Sequence, residues 1–150
     1  MSVLTDPFPP KHQLLQACRG ELPADHPLLR LARELTDLHE QRLCAAKDTI
    51  ADRRHIDDID SRRAGLVRDI DRWVILQLPP SHGAAHVHTE TVGAVVDKLA
   101  QYTACAFAAL TSASQWELGD AWEQLAELAI GYDDLAAELS AGRRRLPGGP

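Results

Sequence analysis

Leu118, Ala121, Leu125, Leu128, Tyr132, Leu135 and Leu139 follow one another at alternating steps of three and four residues. Only an α-helix gathers such positions into one stripe, and the stripe is stable only when another element covers it. The stretch opens on Ser114-x-x-Glu117, which has the form of a capping box. It closes on Gly142, the residue type best suited to end a helix. A long helix packed on partners is the first expectation.

The same spacing recurs earlier. Leu28, Leu31, Leu35 and Leu38 begin a second seam that continues through Arg42, Ala45, Thr49 and Asp52. It recovers as Ile56, Ile59, Arg63, Leu66, Ile70 and Trp73 before Pro79 and Pro80 end it. The polar middle has two readings. Asp48 or Thr49 caps a second helix, with Thr49-x-x-Asp52 as a capping box; or one kinked helix of about 50 residues runs for roughly 75 Å. A further helix is expected over residues 89–110, with Val92, Val96, Leu99, Thr103, Ala106 and Leu110 on one face. Short turns between long amphipathic helices predict an all-α, up-and-down antiparallel bundle. It has four main helices, the first two either separate or one long kinked helix. Three parts are expected: an N-terminal arm with a short helix over residues 1–26, the bundle over 27–142, and a disordered basic tail over 143–150.

Aromatic residues make up only 5% of the chain, so Leu, Ile, Val and Ala must build the core. Scarce aromatic and β-branched residues favour helix over sheet. A net charge of −6 opposes a phosphate backbone, so no nucleic-acid partner is expected. No apolar run approaches 18 residues, and no leader pattern opens the chain, so neither a membrane span nor secretion is expected. Cys18, Cys44 and Cys105 are odd in number and widely spaced, which reads as reduced thiols in a cytoplasm. Arginine outnumbers lysine by 13 to 3, a bias that suggests a GC-rich bacterial genome.

Two constellations could carry chemistry. His82, His86, His88 and Glu90 lie in the loop over residues 79–88 and just beyond it, and these are ligand types that zinc accepts. Their spacing matches no zinc motif, and a polar loop capping the next helix explains them equally, so neither metal nor cofactor is expected. Arg42 and Arg63 stand where the seam calls for leucine. A guanidinium there must meet a carboxylate or line a wet cavity, because an unpaired buried charge is costly. His39, Glu40, Asp57 and Asp60 are near enough along the chain to be partners. The carboxylate or phosphate of a small ligand would serve as well, since arginine grips both bidentately. A ligand site would draw on His39, Arg42, Asp57, Asp60, Arg63, His88 and Glu90. No Glu-x-x-His pair occurs, which argues against a di-metal bundle.

Leu38-His39, Ile56-Asp57, Ile59, Arg63 and Ile70-Asp71 together resemble a bacterial family known only as domain of unknown function 4254. Residues 88–99 (HTETVGAVVDKL) look like its actinobacterial members. The likeness covers about residues 27–110, and it implies a helical fold with no assigned reaction. Arg42 stands where that pattern has asparagine, Asp60 replaces a second asparagine, and its acidic pair is reduced to Asp48 beside Lys47. A looser likeness links residues 56–60 (IDDID) to the first helix of all-helical chorismate mutases. Arg63, Arg68 and Arg72 do not fall at the spacing those enzymes need.

The sequence therefore predicts a self-associating helical bundle, a homodimer acting as a binding or accessory protein for a protein partner or a small anionic ligand. The alternative is a small-molecule enzyme or binding protein with a polar pocket inside the bundle.

Overall fold

A computed structural model describes residues 7–21, 25–79, 81, 83–112 and 114–147. Five helices carry the fold: α1 (Lys11–Cys18), α2 (Pro27–Cys44), α3 (Ile50–Gln77), α4 (Val92–Ser112) and α5 (Gln115–Ser140). Two short strands, β1 (His86–Val87) and β2 (Arg144–Arg145), pair in parallel.

The helix boundaries follow local chemistry. His26 caps α2 by accepting the Leu28 N–H on Nδ1, and Pro27 occupies the first turn, where its missing N–H costs nothing. The polar middle of the long seam is a true break. Helix α2 stops at Cys44, and Thr49 opens α3 through the reciprocal box with Asp52. Ser114 and Glu117 open α5 in the same way. Gly20 and Gly142 follow α1 and α5 with φ of 77° and 72°. Around each, paired amide-to-carbonyl bonds close the helix end as a Schellman turn.

The leucine stripes meet in one core. Leu28, Leu35, Ile70, Val74, Val96, Leu99, Leu125, Tyr132 and Leu139 are all buried in it. Helices α2, α3 and α4 each pack on the other two, while α5 packs on α4, α1 and β2. The N-terminal segment is part of this core rather than an appendage: Leu14, Ala17 and Cys18 are buried. Tyr132 Oη donates to the Pro9 carbonyl at 2.7 Å. Asp133 accepts the Lys11 N–H at 2.8 Å, serving the first turn of a helix whose N-cap, Pro10, has no side-chain cap.

Residues 143–147, expected in a basic tail, are instead folded back. The amides of His86 and His88 donate to the carbonyls of Arg143 and Arg145, Arg144 pairs with Glu138, and Leu146 is buried. The apolar Leu146 provides the physical reason, since it finds a place in the core. Residues 1–6 of the arm, Pro80, His82 and the last three residues of the tail lie outside the described residues. No helix is long and apolar enough to cross a membrane among the described residues. The three cysteines are free, Cys18 buried and Cys44 and Cys105 exposed.

Candidate functional site

Where α2, α3 and α4 meet, five charged or titratable side chains form a continuous chain of hydrogen bonds. Arg42 on α2 donates from Nε to Asp60 Oδ1 at 2.9 Å and from Nη2 to Oδ2 at 3.4 Å. Asp60 on α3 also accepts from Arg63 Nη1 at 2.8 Å. Arg63 then reaches α4, where Nη2 and Nε donate to Asp97 at 2.8 and 3.3 Å. Asp97 finally accepts His39 Nε2 at 2.7 Å. Arg63 thus spends all three of its nitrogens on carboxylates, which makes it the clamp between α3 and α4.

The electrostatics follow from these contacts. Burial alone would raise the Asp97 carboxyl, but hydrogen bonds from His39 and Arg63, with their charges, outweigh it and hold the group below its ordinary value. Asp60 is also lowered, chiefly by its hydrogen bond from Arg42, against burial and with help from Arg63. An ionised Asp97 can only accept, so His39 Nε2 must carry a proton toward it. His39 is 4% exposed and makes no other hydrogen bond among the described residues, while every fully buried polar side-chain atom there has a partner. By elimination, Nδ1 is not fully buried.

Beside this array lies a cavity of about 250 Å³ lined by His39, Arg42, Leu43, Arg63, Gln101 and Cys105. The charges of two arginines and two aspartates balance within the array. Burial raises the Cys105 thiol, so it is not an activated nucleophile. A larger hollow of about 660 Å³ beside the start of α5 is lined by Trp116, Glu117, Asp120 and their neighbours on that one helix, and no chemistry converges there.

The structure brings His39, Arg42, Asp60 and Arg63 together and leaves the other expected residues elsewhere. Asp57 is exposed on α3. Glu90 pairs with Lys98 at 2.8 Å, and His88 sits beside β2 through its backbone. Neither lines the cavity. Among the described residues, no group of three or more His, Cys, Asp or Glu could hold a metal ion. That includes His86, His88 and Glu90, while His82 lies outside.

Sequence reasoning missed Asp97, Gln101 and Cys105. For Asp97 a signal existed: it and Lys98 are the only charged residues in α4, and two seam arginines require acidic partners.

Acid should weaken this junction in a specific window. The folded carboxyls of Asp97 and Asp60 release protons more readily than the ordinary aspartate near pH 3.9. The unfolded chain therefore binds more protons as pH falls below about 4, and stability declines there. The contribution is fully present above that value. Urea unfolding between pH 3 and 7 should show this acid limb, shallower in Asp97→Asn and Asp60→Asn; equal slopes in all three proteins would contradict the assignment.

A family model described as "Protein of unknown function (DUF4254)" matches residues 30–147, a span that holds the whole array. No curated protein and no solved structure matches the chain significantly.

Proposed function

The chain belongs to the DUF4254 family, and on that premise we propose that it binds a small carboxylate- or phosphate-bearing molecule in the cavity between α2, α3 and α4. Arg42 anchors the anion and His39 exchanges a proton with it through Nδ1. Asp97 and Arg63 are positioning residues: one fixes the imidazole tautomer, the other fixes that carboxylate.

The observation that carries this reading is what the array leaves unspent. An internal salt-bridge network built only for packing would consume its polar groups. Among the described residues, His39 Nδ1 has no partner and Arg42 makes no hydrogen bond beyond those to Asp60, although both residues line the hollow. A buried histidine held at one nitrogen by a carboxylate and open at the other is the usual arrangement for moving a proton. The volume equals that of about eight water molecules, which suits a compact metabolite rather than a nucleotide.

Calorimetric titration with phosphate, short mono- and dicarboxylates and small phosphate esters tests this. At least one class should bind saturably, and Arg42→Leu should weaken it ten- to a hundredfold, the worth of a charge-assisted bond. Stability should hardly change, since the Arg42–Asp60 pair is more than a third exposed on both sides and worth about 0–1 kcal/mol. An Arg42→Leu protein that binds as well as the parent, or a parent that binds none of these anions, would refute the reading.

A further inference from the structure

Between Ala106 on α4 and Leu125 on α5, none of the described residues is buried. Yet this tip of the α4–α5 hairpin carries Phe107, Leu110, Trp116, Leu118 and Trp122, including two of the three tryptophans in the chain. Trp116 is 88% exposed, Leu110 53% and Phe107 38%. Phe107 packs edge-on against Trp122 with ring centroids 5.6 Å apart. The last seam position of α4, Leu110, was expected to face the core; it extends past the end of the bundle and faces solvent.

We propose that this tip is the contact between two copies of the chain, hairpin packed on hairpin to complete a four-helix arrangement about a two-fold axis. Helices in water are held mainly by tertiary packing, and none of the described residues covers the tip. Three features single out a second copy. A two-helix hairpin is half of a four-helix bundle, and two equal halves close on themselves without leaving an open face.

Charge agrees with the same geometry. Residues 99–112 of α4 contain no charged residue, whereas Glu117, Asp120, Glu123 and Glu127 all lie on α5. Facing α4 against its symmetry mate buries the neutral surface and leaves the acidic edges at the rim, where water screens them.

Area is the third. At 150–250 Å² for a whole aromatic side chain, Trp116, Phe107 and Leu110 expose roughly 350 Å² of apolar surface. That is nearly half of the roughly 800 Å² each partner gives to a standard interface. Ala108, Thr111 and Gly119, also exposed, supply part of the remainder. The contact is independent of the anion site, although Gln101 and Cys105 of that cavity precede the tip on the same helix.

Sedimentation velocity on the full chain tests the interface. The parent should sediment at about 33 kDa, twice its 16.5 kDa chain mass, at tens of micromolar. Leu110→Glu with Trp116→Glu should weaken the dimer at least thirtyfold, giving a monomer with an unchanged circular dichroism spectrum, since both side chains are exposed in the single chain. Leu76→Glu, at an exposed apolar site on α3, should leave the dimer intact. A monomeric parent overturns the proposal. A dimer that survives the double substitution, or that Leu76→Glu dissociates, overturns it by placing the contact elsewhere.

Discussion

Replacing Asp97 with alanine should lower stability by about 3 kcal/mol, the loss expected when one member of a largely buried charged set is removed. Among the described residues, Asp97 alone is hydrogen-bonded to both His39 and Arg63, and its own side chain is 17% exposed. Without it, Arg63 keeps only Asp60 on its own helix and loses its tie to α4, and His39 is left at 4% exposure with no acceptor for its Nε2 proton. In a domain of this size the loss corresponds to a melting temperature lower by on the order of 10 °C. Asp97→Asn should fall between, because the amide keeps the shape and one acceptor but gives up the charge. Thermal and urea unfolding read both. An Asp97→Ala protein within about 1 kcal/mol of the parent would mean that water already solvates Arg63 and His39.

Gly93→Ala should be nearly as damaging, although the same exchange inside an ordinary helix stabilises by up to about 1 kcal/mol. A Cβ at position 93 would sit 2.5 Å from the Val67 carbonyl oxygen and 2.6 Å from Asp71 Oδ1. The first of these atoms belongs to the backbone of α3 and cannot turn aside, so the start of α4 would have to lift away. Lifting it also breaks the bond from the Gly93 N–H to Asp71 Oδ1 at 2.7 Å, which serves the first turn of α4. Overpacking and the lost charge-assisted bond together should cost about 3 kcal/mol. Gly131→Ala, at an exposed position of α5 where an added Cβ meets nothing within 4 Å, should instead stabilise by about 0.5–1 kcal/mol. Opposite signs at two helical glycines, measured by urea unfolding, would establish the close approach of α3 and α4. Equal signs would contradict it.

The helices were legible because their signals are local. Alternating three- and four-residue steps, two capping boxes and Gly142 each act within a turn or two, and each sits where expected. The choice between a break and a kink near Asp48 was open from sequence, since the register survives both. Thr49 with Asp52 decides it for a break. The tail was misjudged because Leu146 lies beyond a helix-ending glycine, and whether an isolated apolar residue finds a place in the core is a tertiary property. The site divides along the same line. Arg42 and Arg63 were visible as charges in an apolar seam, and Asp60 lies three residues from Arg63 on the same helix. Asp97 comes from a helix 34 residues further on, and no short-range pattern couples those positions. Glu90 was grouped with the site as a carboxylate beside the histidine loop, and Lys98 claims it instead.

The account rests on His39 being pinned at Nε2 by Asp97 while Nδ1 opens onto an anion-binding hollow. Long-range proton–nitrogen NMR of the histidine side chains, recorded as phosphate or a small carboxylate is added, reads both halves at once. The predicted result is a His39 ring protonated at Nε2 in the free protein, with an Nδ1 resonance that shifts saturably with the anion and does not shift in Arg42→Leu. A His39 ring protonated at Nδ1, or one indifferent to every anion tested, would contradict the account.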